Sequence, residues 1–189
     1  MSPWAAFAVC GGFGQCSYGL GRDASRRADN KLYALKELDL PPDQREANAV
    51  LQETHILAAL EHPFIVRYYD SFVEHRKLFV VMEYAPNGSL DEVIKQHKQA
   101  GRHIDEALIW RYCVQLLIGL HAIHSRRVVH RDVKPHNIFL GANDTVKIGD
   151  FGVSRLLSGS RDLATTVVGS PGYLAPELCK GLPYDNKAD

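Results

Sequence analysis

Apolar and polar positions alternate along "KLYALKEL" (residues 31–38), so a strand there sets Leu32, Ala34 and Lys36 on one face and Tyr33, Leu35 and Glu37 on the other. Pro41 and Pro42 end it. From Asp43 to Leu60 the period lengthens to that of a helix, with Glu46, Val50, Glu53, Leu57 and Leu60 in one stripe. A carboxylate, Glu53, therefore lies among apolar neighbours. "FIVRYYDSFVE" (64–74) and "KLFVVMEY" (77–84) read as two strands joined by a short turn at His75 and Arg76. The first thirty residues, with Gly11, Gly12, Gly14, Gly19 and Gly21 ahead of the polar run "RDASRRADN", read as loops or hairpin turns.

After "EYAPNGS" the pattern turns from strand-rich to helix-rich. Ser89 with Glu92 makes a capping box that opens a helix to about Gln99, and Gly101 stops it. Asp105 is placed to cap a longer helix through "ALIWRYCVQLLIGLHAIHS", whose near-continuous apolar character predicts burial on most sides. Brief apolar runs at "VV", "IFL" and "VKIG" follow, separated by polar loops. The expected division is a β-rich part over residues 1–84 and a mainly helical part over 85–189, with a small-molecule site in a cleft between them.

Composition narrows the function classes. With 46% hydrophobic residues and 23% charged, the chain of 189 residues is a globular sequence and not a disordered or coiled-coil one. Lys plus Arg equals Asp plus Glu at 22 each, so no global field steers it to nucleic acid or to an anionic membrane. Cys10, Cys16, Cys113 and Cys179 show no CxxC spacing, which suits free thiols in a reducing, cytoplasmic setting. "MSPWAAFAVCGG" lacks the basic start of a targeting signal, and no membrane partner is expected.

The chemistry concentrates in three clusters. "HRDVKPHN" holds Asp132, Lys134 and Asn137; "DFG" holds Asp150, Phe151 and Gly152; "APE" holds Ala175, Pro176 and Glu177. An Asp and an Asn alone in a polar loop are turn formers in most proteins, but the flanking His130, Arg131 and Lys134 change that weighting. In this order, with "YALK" and the Glu53 helix upstream, the clusters resemble the signature set of eukaryotic protein kinases. The resemblance implies an α+β, bilobal protein-kinase-like fold, with a small β-rich N-lobe carrying one helix and an incomplete, mainly helical C-lobe.

What the resemblance implies for each residue follows from phosphoryl transfer, in which a protein chiefly positions groups and stabilises charge. Lys36, held by Glu53, contacts the α and β phosphates of ATP. Asp150 and Asn137 bind Mg2+. Asp132 orients the substrate hydroxyl and accepts its proton, and Lys134 neutralises the γ phosphate. The order Asp-x-Lys-x-x-Asn resembles serine/threonine kinases, so protein Ser/Thr hydroxyls are the expected substrates. Gly11, Gly12 and Gly14 are backbone donors to phosphate, although Val9 stands where the family has its first glycine and the stretch from Cys16 to Lys36 is longer than usual. Cys16, Ala34 and Phe139 flank the adenine, beside the gatekeeper Met82 and the hinge Glu83 to Ala85.

"HPFIVRYYDSF", "NIFL", "KIGDFGVSRLL" and "PYDNKAD" are similar to the NIMA-related (Nek) subfamily, which implies a cytoskeletal, centrosomal or ciliary setting within the cytoplasm. Ser170, in "GSPGY", supplies a hydroxyl near Asp132 and Lys134 where a Thr is more usual. Thr166 lies at the position resembling the activating Thr, with Arg131 and Arg155 as guanidinium partners for a phosphate delivered by an activating kinase or by self-phosphorylation in trans. The chain stops at Asp189, which resembles the family residue that holds the backbone around His130 and Arg131. An incomplete large lobe is therefore expected, and with it a second functional class, an inactive truncated fragment or pseudokinase-like interaction module.

Overall fold

The computed structural model describes residues 3–16, 19–150, 155–156 and 169–189, and in 3–4, 9–16, 19–22, 46, 49, 52–53, 55–57 and 155–156 it does so through the backbone alone. The chain divides into two units, Met1–Glu61 with Val66–Tyr84, and His62–Ile65 with Ala85–Asp189.

The first unit is a five-stranded antiparallel sheet with one helix. Its strands are β1 (Phe7–Cys16), β2 (Gly19–Arg26), β3 (Leu32–Asp39), β4 (Tyr68–Glu74) and β5 (Lys77–Glu83), in the order β1-β2-β3-β5-β4. The glycine-rich start is thus a hairpin, with bulges between Val9 and Gly11 and between Gly12 and Gln15. Register sets the two faces of the sheet. Ala24, Tyr33, Leu35 and Val81 pack with Phe7 and Phe72 on one face. Tyr33 meets Phe7 and Tyr69 edge-on, which favours the ring quadrupoles. The alternate positions Ala34 and Lys36, paired with Met82 and Val80, occupy the other face.

Asp43 starts α1 (Gln44–Ala58), its carboxylate accepting from the Arg45 amide at 2.9 Å and its carbonyl from the Ala47 amide at 3.0 Å. The β4–β5 turn puts both His75 (φ 50°) and Arg76 (φ 61°) in the left-handed region without an Asn or Gly. The Arg76 carbonyl accepts from the Leu40 amide at 3.0 Å and its guanidinium donates to the Pro41 carbonyl at 3.3 Å, so contacts to the end of β3 hold the turn. β4 begins later than the sequence pattern suggests. Residues 64–65 lie in the second unit, where Ile65 bridges Ile148 and the Phe64 carbonyl accepts from the Ile148 amide at 2.9 Å.

The second unit contains α2 (Leu90–Gln99), α3 (Glu106–Ser125), β6 (Val128–Val129), β7 (Ile138–Leu140), β8 (Val146–Ile148), β9 (Arg155–Leu156) and α4 (Pro176–Cys179). The Ser89–Glu92 capping box forms in both directions, and Gly101 (φ +60°) follows the end of α2. Asp105 precedes α3 as expected, but its side chain makes no capping hydrogen bond; its carbonyl accepts from the Leu108 and Ile109 amides.

The expected burial of α3 on most sides is corrected. Tyr112, Gly119, Leu120 and Ile123 are buried, whereas Ile109, Trp110, Val114, Leu117 and Ile118 are exposed. By length and composition alone α3 is also apolar enough to cross a membrane. At Gly119 the helix packs closely on Ile148 and Phe64, since a Cβ there would lie 2.6 Å from Ile148 Cδ1 and 3.2 Å from the Phe64 carbonyl. Gln115 reaches from the same helix to accept the Val146 amide at 2.8 Å. The hairpin of β7 and β8 is thereby fixed to α3, which places the loop before β7.

Candidate active site

That loop runs from His130 to Asn137, between the buried strands β6 and β7. Its first half turns sharply. Arg131 has φ +70°, a conformation costly for any residue with a Cβ unless the surrounding structure holds it. The Asp189 carboxylate, fully inaccessible to solvent, holds them by accepting from the His130 amide at 2.7 Å and the Arg131 amide at 2.6 Å. It also takes a hydrogen bond from His124 Nε2 at 2.8 Å. Burial raises the Asp189 pKa, but these three donors and the nearby imidazole of His130 outweigh it, and the carboxyl sits below the usual range.

His130 is itself fully buried. Its Nε2 lies 2.9 Å from the Gly149 carbonyl and its Nδ1 accepts the Asp132 amide at 3.3 Å, which defines the Nε2–H tautomer. The imidazole thus links the loop to the residue before Asp150. Gly169 completes this support from the other side. At φ +115°, with a Cβ position 2.6 Å from the Arg131 carbonyl, it admits no side chain.

The second half of the loop presents the chemistry. Asp132 Oδ2 lies 2.8 Å from Lys134 Nζ and accepts from Asn137 Nδ2 at 2.9 Å, while Oδ1 accepts from the Ser170 amide at 2.8 Å. Lys134 Nζ also bonds the Ser170 hydroxyl. Asp132, Lys134 and Asn137 are all buried. Burial raises the Asp132 pKa, yet the bonds from Lys134, Ser170 and Asn137 hold it below the ordinary carboxylate value, so the group is ionised at neutral pH. A carboxylate offers about four lone-pair sites. Three protein donors leave one for a substrate hydroxyl.

Asn137 spends Nδ2 on the Asp132 carboxylate and carbonyl, so its Oδ1 remains as an acceptor. The Asn137 carbonyl accepts from the Gly149 amide at 3.0 Å across the open end of the β7–β8 hairpin, directly before Asp150 (φ 56°). Two hard oxygen-bearing residues therefore flank one end of that hairpin, a donor set suited to Mg2+.

The remaining expected residues divide between the units. Lys36 is buried on the sheet face shared with Ala34 and Met82. Glu83 accepts the Arg67 amide at 3.1 Å, and Ala85 and Phe139 belong to the second unit. Gly11 and Gly12 pair with Asp23 and Arg22 along the β1–β2 ladder, and Gly14 and Cys16 lie nearer the hairpin tip. The side chains of Glu53, Cys16 and Arg155, and the whole of Phe151, Gly152, Thr165 and Thr166, fall outside the described residues. His124 is a supporting residue that sequence reading passed over; the one available signal was its place six residues ahead of His130.

The strand-rich unit with its buried lysine, and the helical unit with its Asp–Lys–Asn loop, define the class of fold. The chain belongs to the protein kinase domain family, whose model matches residues 7–189. Among individual proteins, it is 43% identical over 171 residues to serine/threonine-protein kinase Nek11 of Homo sapiens, covering 88% of this chain and 26% of that protein. Against Nek5 of Homo sapiens it is 41% identical over 180 residues (93% of this chain, 25% of that protein), and against Nek8 of Danio rerio 40% over 178 (93% and 25%). The chain spans about a quarter of the length of these curated relatives.

Proposed function

We propose that this domain is an ATP-dependent protein kinase that transfers the γ-phosphoryl group to Ser or Thr hydroxyls of protein substrates. The observation that carries the proposal is the ionised Asp132 carboxylate, fixed on three sides by Lys134, Asn137 and Ser170 with acceptor capacity to spare. Asp132 takes a hydrogen bond from the incoming hydroxyl and aims its oxygen. That oxygen's lone pair forms the new bond to the γ phosphorus, the bond from phosphorus to the β–γ bridging oxygen breaks with its electron pair going to ADP, and the hydroxyl proton passes to Asp132. Lys134, bridging Asp132 and Ser170, offsets negative charge on the transferred group.

Lys36 holds the α and β phosphates, supported by Glu53; Ala34, Cys16, Met82, Glu83, Ala85 and Phe139 form the adenine site; and the backbone of Gly11, Gly12 and Gly14 meets phosphate. Asn137 and Asp150 would hold Mg2+, which when bound neutralises phosphate charge. Phosphate on Thr166, paired by Arg131 and Arg155, orders the substrate-facing loop.

The test uses the chain with MgATP and a generic Ser/Thr acceptor protein. Wild type should bind MgATP and transfer labelled phosphate, and Asp132→Asn should keep nucleotide affinity within about threefold while losing turnover by a factor of at least 100. Turnover in Asp132→Asn near that of wild type, or a wild type that binds no MgATP, refutes the proposal. Thr166 should be phosphorylated in the active fraction by mass spectrometry; full activity of Thr166→Ala refutes that part.

A further inference from the structure

Between the hinge and α2 lies a short clasp that neither the loop chemistry nor the capping box requires. The Asn87 amide donates to the Leu140 carbonyl at 3.0 Å, and the Leu140 amide donates back to the Gly88 carbonyl at 2.9 Å. Ser89 bridges Phe139 in antiparallel register. The Asn87 side chain then spends both hydrogens of Nδ2 on the far turn of the β7–β8 hairpin, to the Gly141 carbonyl at 3.0 Å and to Asp144 Oδ1 at 3.3 Å. That turn holds Asn143 (φ 56°) and Asp144 (φ 55°), residue types that tolerate the left-handed region, and is closed from within by the Gly141 amide on the Thr145 carbonyl at 2.8 Å; Asn87 adds a tie from outside it. All of these groups lie in one unit.

We infer that Asn87 is a positioning residue for nucleotide binding, acting through Phe139 by locking the β7–β8 hairpin to the hinge segment. The inference rests on the kinase reading, in which Phe139 is the floor under the adenine. With Asn87 bonded, the strand carrying Phe139 has one register relative to residues 87–89. Without it, the β7–β8 ladder and the backbone bonds to residues 87–89 remain, but the far turn of the hairpin loses its side-chain tie to this segment.

Polarity makes the idea testable. Asn87 faces two acceptors, a carbonyl and a carboxylate, so the isosteric Asn87→Asp replaces a donor with a third acceptor and adds like charge beside Asp144. Ala merely removes the bonds. In the full chain, Asn87→Ala should weaken MgATP affinity by calorimetry about threefold, and Asn87→Asp about tenfold, consistent with losing one ordinary and one charge-assisted hydrogen bond. Turnover at saturating MgATP should stay within about twofold, so that the change falls on KM and not on kcat. The Leu140 amide should exchange faster with solvent deuterium in both variants. Adding Asp144→Asn to Asn87→Asp reverses the donor and acceptor and should recover part of the lost affinity and of the amide protection.

If the wild type binds MgATP and both variants match its affinity, or if the double variant is no better than Asn87→Asp, the inference is wrong. Equal losses in kcat and melting temperature with unchanged KM would mark Asn87 as merely structural and also overturn it. A wild type that binds no MgATP is a separate outcome that removes the kinase reading and this inference together.

Discussion

Asp189→Ala strips the support from the His130–Arg131 turn, and its cost can be worked from three distances. The carboxylate is inaccessible to solvent and accepts bonds of 2.6, 2.7 and 2.8 Å from the Arg131 and His130 amides and from His124. Removing it leaves two backbone donors and an imidazole without their acceptor, each at roughly 1–3 kcal/mol. Partial relaxation and water entry bring the sum to about 4 kcal/mol, in line with breaking other buried charge-assisted clusters. For a chain of this length that corresponds to a fall of about 12 °C in melting temperature. Asp189→Asn, which keeps one oxygen but loses the charge, should fall by about half as much.

A pH series separates charge from shape. Because the folded-state pKa of Asp189 is lowered, its contribution is complete above the unfolded-state value of about 3.9 and is lost as pH falls through the lower folded value. Wild type should therefore lose stability on the acid side more steeply than Asp189→Asn, and the two melts should converge there. Thermal unfolding from pH 7 down to about 2 measures both effects. A melting temperature for Asp189→Ala within about 3 °C of wild type at pH 7 would refute the reasoning.

Three further substitutions test other supports. Gly169→Ala should destabilise the chain by about 2–4 kcal/mol in urea unfolding, since its φ of +115° and the 2.6 Å approach to the Arg131 carbonyl leave no room; an unchanged midpoint would contradict this. Ser170→Ala removes the hydroxyl bonded to Lys134 but keeps the amide bonded to Asp132, so steady-state assays should show kcat about tenfold lower with the KM for ATP unchanged. Gln115→Leu leaves the Val146 amide without its acceptor and should cost about 1–3 kcal/mol, with faster exchange at that amide; wild-type protection there would count against the capping role.

Local rules make several elements legible in the sequence itself. The alternation around Tyr33 and Leu35, and the Ser89–Glu92 pair opening α2, are consequences of neighbouring residues, and both appear as read. Asp132, Lys134 and Asn137 were legible as a spacing, whereas the amide of Ser170 on Asp132 spans thirty-eight residues and only the family resemblance hinted at it. Distance along the chain explains the misses too. Ile65 belongs with Ile148 and not with β5, and His124 with Asp189, pairings that no window of sequence contains. The exposed side of α3 has a different cause. Hydropathy reports that Trp110 and Leu117 are apolar, but not whether anything lies against them. The left-handed His75–Arg76 turn lacks the residues that normally announce one, because contacts to Leu40 and Pro41 hold it.

The four residues His62–Ile65 interrupt the first unit and complete the second. Neither unit is therefore a single stretch of chain. One cut after Tyr84 would yield an amino-terminal piece bearing an orphaned Ile65 and a carboxy-terminal piece whose Ile148 amide has lost the Phe64 carbonyl. During synthesis the segment leaves the ribosome well before β8 and must wait for it, so the second unit cannot close its core until most of the chain has emerged. In the genetics of such a chain, the two halves should resist being shuffled as separate modules, and a recombination point that respects both would have to cross the chain more than once.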